Sequence, residues 1–189
     1  MLYKVTMKCI LIDLDGVCAD FNAGVMKQMV KLNPEWVLTL DDLDEFYLKD
    51  IYNRKFGEAA FLAAQDISNA EGFYANLEPI EGAKAALIAI TAAGYDVAIC
   101  TAPMFTNQYC EAEKRAWVKK HLGEYKTHVV VRKETIPGDL LFDDRATVNA
   151  DNASWKHILF EEWTNRKHRP GRKTVNWSNY LEVIKEFLA

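Results

Sequence analysis

Residues Lys8 to Gly16 read KCILIDLDG, an apolar run that stops on two aspartates and a glycine. The part from Lys8 to Leu14 has the length and composition of a strand buried on both faces. Asp13 and Asp15 stand two apart, so an extended backbone turns both carboxylates the same way. Three further runs repeat the pattern: Tyr95 to Thr101 (YDVAICT), Thr127 to Val131 (THVVV) and Asp139 to Phe142 (DLLF), with Lys156 to Phe160 (KHILF) as a fifth strand. Helical segments alternate with them. Glu81 to Ala93 begins after Pro79 and ends at Gly94; Asn107 to Leu122 starts at a Thr106 or Asn107 N-cap and stops at Gly123; Ser178 to Leu188 is amphipathic. This alternation predicts an α/β fold, a Rossmann-like parallel sheet with helices on both faces.

The stretch from Phe21 to Glu78 breaks the rhythm. It holds helical segments (Phe21 to Leu32, Gly57 to Asn69), no buried strand, and a cluster of aromatics: Phe46, Tyr47, Tyr52, Phe56, Phe61, Phe73 and Tyr74. It reads as a small helical cap inserted after the first strand, so that residues 1–20 and 79–189 make the core domain and residues 21–78 the cap. Phe56 and Phe61, at helical spacing, belong to the cap's own core; Phe21, Phe46 and Tyr47 are the candidates for stacking on a flat ligand.

A chain of 189 residues, half of them hydrophobic and 12% aromatic, has the material for a substantial core. The net charge of −4 argues against binding along a long nucleic acid, and leaves room for a small anion held by local cations. No apolar run reaches membrane-spanning length, and the N-terminus lacks a signal-peptide layout. The cysteines, Cys9, Cys18, Cys100 and Cys110, show no metal-ligand spacing and read as free thiols in a reducing, cytoplasmic-type compartment. The basic run Asn165 to Lys173 (NRKHRPGRK) reads as a solvated loop, with attraction of an anionic substrate as the alternative. His121, His128, His157 and His168 are scattered, and none pairs with a nucleophile.

Ligands of open parallel sheets gather outside the carboxyl ends of the strands. There the sequence places Asp13-Leu14-Asp15-Gly16, Thr101-Ala102-Pro103, Lys133 and Asp143-Asp144-Arg145. Four carboxylates in one place repel each other unless a divalent cation joins them, and an all-oxygen site suits Mg²⁺. An ionised aspartate attacks phosphorus without a base to activate it, and the aspartyl phosphate so formed is open to water. Asp13 is therefore the candidate nucleophile and Asp15 the acid that protonates the leaving oxygen and later deprotonates water. Gly16 lets the backbone aim amides at a phosphate, while Thr101 and Lys133 supply a hydroxyl and a fixed positive charge.

The DLDGV segment, Thr101, Lys133 and the Asp143-Asp144 pair, in that order, resemble the four motifs of the haloacid dehalogenase superfamily. More closely, DLDGVCADF, EPIEGAKAAL, ICTAP, WVKKHLG, LLFDDR and WKHILF are similar to segments of the 5′(3′)-deoxyribonucleotidases, over nearly the whole chain. The resemblance implies a Mg²⁺-dependent phosphatase of deoxyribonucleoside monophosphates such as dUMP and dTMP, acting through an aspartyl phosphate, and suggests a homodimer.

 It implies a small-molecule nucleotide as the partner, with no membrane and no long nucleic acid. Asp13 would be nucleophile and metal ligand, Asp15 acid/base with its carbonyl on Mg²⁺, Asp144 the carboxylate on the metal, and Asp143 its support. Gly16, Thr101, Ala102 and Lys133 would hold the phosphate, and Phe21, Phe46, Tyr47 and Leu48 would line the base and sugar pocket. The chain departs from the family in having Ala102 where serine is common, Tyr47 where tryptophan is familiar, and Cys18 where a larger aliphatic residue stands. Two other readings stay open: a broad small-metabolite phosphatase, and a nucleotide-sensing module with little turnover.

Overall fold

Cys9–Ile12 (β1) lies inside a six-stranded sheet of order β3-β2-β1-β4-β5-β6, formed with Asp96–Thr101 (β2), Lys126–Val129 (β3), Leu140–Asp143 (β4), Lys156–Phe160 (β5) and Thr174–Val175 (β6). Every pairing is parallel. The coordinates are a computed structural model that describes residues 7–188; residues 1–6 of the expected core domain, and residue 189, lie outside the described residues. Ile12 is in register with Ile99 of β2 and Phe142 of β4. Asp13, Thr101 and Asp143 therefore arrive at the same edge of the sheet. The five expected strands are present, the fifth with its ends as expected and the others with ends shifted by at most two residues. β6 was not expected, because two residues are too few to show a pattern.

Between β1 and β2 the chain forms Phe21–Leu32 (α1), Leu48–Phe56 (α2), Glu58–Asn69 (α3) and Ala83–Ala92 (α4), and later Cys110–His121 (α5) and Tyr180–Leu188 (α6). Asp20 caps α1 by accepting from the Ala23 amide at 2.9 Å. The sequence pattern missed α2, whose aromatic and charged residues give no clean apolar stripe. Its boundaries have local causes. Asp50 sits in its first turn and Arg54 and Lys55 in its last, which complements the helix dipole, and Gly57 ends it at φ 85°. Residues 21–78 carry helices and no strand of the sheet.

Successive residues of a strand face opposite ways, and the core divides accordingly. On one face Ile10, Ile12, Ile99, Leu140 and Phe142 pack with Leu87 and Ile90 of α4, Trp117 and Val118 of α5, and Val183 and Ile184 of α6. The other face has a smaller cluster of Leu11, Ala98, Cys100, Leu141 and Trp155, against which Val130, Ile136, Val148 and Ala153 pack. Both faces are covered, but unequally. The second cover comes from a 3-10 turn at Lys133–Thr135 and the loop between β4 and β5. All four cysteines are free thiols.

Candidate active site

Asp13 follows β1 and is fixed by its own amide, which donates to Phe142 O at 2.9 Å. The turn after it wraps around one carbonyl: the Cys18 and Ala19 amides both donate to Leu14 O at 2.8 Å. Gly16 holds φ +73°, and a Cβ there would lie 2.3 Å from Asp144 Oδ2. Only glycine lets the Asp144 carboxylate approach this closely. The expected use of the Gly16 amide on a phosphate is corrected, since it donates to Ala19 O at 2.9 Å. Among the described residues the Leu14, Asp15 and Ala102 amides have no backbone acceptor, so these are the free donors at the edge.

The Lys133 ammonium bridges two acids. Its Nζ donates to Asp143 Oδ2 at 2.6 Å and lies 2.8 Å from Asp13 Oδ1. The second contact is an ion pair outside hydrogen-bonding angles, which leaves Asp13 Oδ1 without a donor. Asp143 is 1% exposed, and its other oxygen accepts from the Arg145 amide at 2.9 Å. Burial pushes the Asp13 carboxyl up to about 6; Lys133 opposes that rise, while Asp143 and Asp15 add to it. Burial, then Asp143 and Asp13, hold Asp144 well above the usual carboxylate range. Burial pulls the Lys133 ammonium down, but Asp13 and Asp143 outweigh it and the net shift is upward.

Asp13, Asp143 and Asp144 can bring ligand atoms within 4.8 Å of one another. With all three carboxylates ionised, the single Lys133 ammonium leaves an excess of two negative charges. Burial first, and then this excess, raises the Asp13 and Asp144 carboxyls without a cation. Oxygen donors with that excess fit a hard divalent cation such as Mg²⁺.

Asp15 has a different partner, which the sequence reading missed. Lys114 of α5 is 1% exposed, and its Nζ donates to Asp15 Oδ2 at 2.6 Å, to Ala102 O at 2.6 Å and to Thr101 Oγ1 at 3.1 Å. It also stands 5.0 Å from the Tyr74 ring centroid. Asp15 Oδ1 is buried and has no partner. A lysine in the middle of the charged run CEAEKRAWVKKH looks like a surface residue; only its apolar flank at Trp117 and Val118 hinted otherwise.

The expected pocket residues divide. Phe21 packs edge-on against Phe73, with ring centroids 5.3 Å apart. Phe46 and Tyr47 meet edge-on at 5.1 Å and remain exposed. The Arg145 guanidinium lies 5.1 Å from the Phe46 centroid and 5.8 Å from that of Tyr47, whose hydroxyl accepts a hydrogen bond from it. Leu48 is corrected: it opens α2 with its side chain buried in the main core.

The parallel order 3-2-1-4-5-6 with acids at the ends of β1 and β4 is the arrangement of hydrolases of the haloacid dehalogenase type. A hydrolase of that family from Deinococcus radiodurans R1, solved with bound phosphate and sodium, has the same fold, with a TM-score of 0.60 at 14% identity over 95% of this chain and 96% of that one. The chain belongs to the 5′ nucleotidase, deoxy (pyrimidine), cytosolic type C family, whose model matches residues 7–188. It is 33% identical to the human cytosolic-type 5′(3′)-deoxyribonucleotidase, over 93% of this chain and 92% of that one. The mouse mitochondrial 5′(3′)-deoxyribonucleotidase is 32% identical over 93% of this chain and 84% of its own. The protein is a phosphatase.

Proposed function

We propose that this phosphatase hydrolyses deoxyribonucleoside monophosphates of the dUMP and dTMP kind, with Mg²⁺, through an aspartyl phosphate on Asp13. The observation that carries the reading is the division of labour between two acids two residues apart. Asp13 sits in the acidic cluster with Lys133. Asp15 is held by Lys114 through one oxygen and keeps the other free.

An Asp13 oxygen attacks phosphorus, the bond from phosphorus to the nucleoside oxygen breaks, and its electron pair leaves on that oxygen with a proton from Asp15. Asp15 then takes a proton from water, which attacks phosphorus; the bond to Asp13 breaks and phosphate is released. Asp13, Asp144 and the Asp15 carbonyl would hold Mg²⁺, with Asp143 behind them; the ion supplies positive charge that offsets the carboxylates and the phosphoryl oxygens. Thr101, Lys133 and the Leu14, Asp15 and Ala102 amides face the phosphoryl oxygens. Phe21, Phe46 and Tyr47 offer ring faces to the base, a contact of roughly 1–3 kcal/mol that tolerates changes of base. An apolar wall beside C2′ would disfavour a ribose hydroxyl left without a partner, which is the basis for expecting deoxyribose selectivity.

The test is one panel of deoxy- and ribonucleoside 5′- and 3′-monophosphates with Mg²⁺, repeated on Asp13→Asn. dUMP is expected to turn over faster than UMP, and Asp13→Asn to lose turnover while it stays folded. Equal rates on dUMP and UMP would leave a broad phosphatase in place of the deoxynucleotidase, and retained turnover in Asp13→Asn would remove the covalent route. The free thiols suit the cytoplasm, to which we assign the protein, and cell fractionation checks it. A homodimer is the assembly the family resemblance suggests, and light scattering decides it.

A further inference from the structure

The basic run after β5 divides: residues 170–173 are exposed, as a solvated loop would be, whereas Asn165 and Arg166 are tied into the fold. Trp163–His168 forms a 3-10 turn in which Asn165 is 2% exposed. Asn165 Nδ2 donates to Asp144 O and to Phe160 O, both at 2.7 Å, and its Oδ1 accepts from the Glu162 amide at 3.2 Å and from Arg169 Nε at 3.0 Å. The next residue reaches the other way. The Arg166 guanidinium donates to Asp41 O at 2.7 Å, to Leu40 O at 3.3 Å, to Trp163 O at 3.2 Å and to Leu43 O. Lys167 adds an ion pair to Asp44 at 2.9 Å. Phe46 and Tyr47 follow directly on that turn.

We propose that Asn165 and Arg166 are a two-armed positioning element: Asn165 fixes the main chain of Asp144, and Arg166 fixes the turn that presents Phe46 and Tyr47. The inference deepens the proposed reading of those residues as metal ligand and base platform, and rests on it. The residue types suit the two tasks. A neutral amide can donate to the Asp144 carbonyl without adding another negative charge to the acidic cluster, whereas a carboxylate at the same place could not donate. A planar guanidinium with five N–H groups can serve several carbonyls at once, which the point charge of lysine does less well. Neither residue touches the reacting atoms, so each acts through the group it holds.

The experiment compares native protein, Asn165→Ala, Arg166→Ala and Arg166→Lys by two independent readouts. One is KM for dUMP against kcat/KM for p-nitrophenyl phosphate, which has no base to stack. The other is the rise in melting temperature on adding Mg²⁺ alone, without substrate. Arg166→Ala is expected to raise the dUMP KM about tenfold, equivalent to one net hydrogen bond. Arg166→Lys is expected to fall between it and the native protein, and both variants keep p-nitrophenyl phosphate hydrolysis within about twofold. Asn165→Ala is expected to move the Mg²⁺ titration up about tenfold, as loss of a residue supporting a metal ligand does elsewhere. If Asn165→Ala does not fold, Asn165→Ser takes its place. Variants that only melt lower, with the dUMP KM and the Mg²⁺ titration at native values, would overturn the inference and leave a purely structural turn. A native protein that does not distinguish dUMP from p-nitrophenyl phosphate would instead sink the base-platform reading, while the Mg²⁺ titration of Asn165→Ala still decides the Asp144 arm.

Discussion

Replacing Lys114 by methionine keeps the buried stem and removes the ammonium. In the native protein that ammonium contacts Asp15 Oδ2, Thr101 Oγ1 and Ala102 O within 3.1 Å. Asp15 would then lose its one side-chain partner, since Oδ1 already lacks one. Removing one member of a fully buried ion pair costs about 3–5 kcal/mol. The Asp15 side chain is 26% exposed, so solvent screens part of that, and roughly 2–3 kcal/mol is the expected loss. For a chain of this size it lowers the melting temperature by roughly 5–10 °C. The kinetic effect is more specific. A positioned acid contributes about 10²–10⁴-fold, so a misdirected Asp15 should lower kcat/KM on dUMP by about 10²-fold. p-Nitrophenyl phosphate leaves as a stabilised phenolate that needs little protonation, so its kcat/KM, which reports the first step and not the later attack of water, should fall by less than about tenfold. Steady-state kinetics on both substrates, with melting curves alongside, measure this directly. Equal losses of kcat/KM on the two esters, or a native kcat/KM on dUMP, would refute the assignment of Lys114 to the orientation of Asp15.

Asp13 titrates near 6 in the folded protein, against an ordinary 3.8; the folded chain thus binds more protons than the unfolded chain between these values, and metal-free stability falls as pH rises through that window, by a few kcal/mol, roughly 3. Chemical denaturation of metal-free protein at pH 4.5 and 7.5, native against Asp13→Asn, should show the variant gaining on the native chain at the higher pH; an unchanged difference removes the linkage. Gly16→Ala puts a Cβ 2.3 Å from Asp144 Oδ2 at φ +73°, and should cost about 1–3 kcal/mol in backbone strain and weaken Mg²⁺ binding at least about tenfold. A native Mg²⁺ titration in that variant would contradict the close packing. Glu113 accepts from the Gly72, Tyr74 and Ala75 amides at 2.6, 3.0 and 3.3 Å. Glu113→Gln should cost about 2 kcal/mol and speed proteolysis near Phe73 and Tyr74; native cleavage kinetics would show that the three bonds are dispensable.

The parts legible in the sequence are those that local pattern decides. The limits of α1 and β5 follow from the Asp20 cap and the apolar run KHILF, and the strand-end positions of Asp13, Thr101, Lys133 and Asp144 follow from the parallel topology. The missing parts depend on side chains that meet across the chain. Lys114 reaches Asp15 from 99 residues away and Arg166 reaches Leu43 from 123. Both stand in charged runs whose one-dimensional pattern is that of a solvated surface. The Gly16 amide was misread for a related reason: its acceptor, Ala19 O, depends on the whole course of the turn.

α5 also bears on how such a protein can diverge. Asn107, just before it, donates to Ser68 O at 3.0 Å, Glu113 accepts from the amides of Gly72, Tyr74 and Ala75, and Trp117 Nε1 donates to Leu77 O at 2.8 Å. One rigid rod thus carries the returning leg of the insertion together with Lys114. A helix turns about 100° and rises about 1.5 Å per residue, so a roll or slide of α5 displaces the insertion and the Lys114 partner of Asp15 at once. Residues 68–77 are consequently poor ground for changing what the enzyme accepts, because any shift there is felt at Asp15. Residues 40–47 are joined to the core by Leu43, which is buried in it, and otherwise by contacts of Arg166, Lys167 and Arg145. On the proposed reading of Phe46 and Tyr47 as the base platform, new substrate preferences can be acquired there with the chemistry left in place.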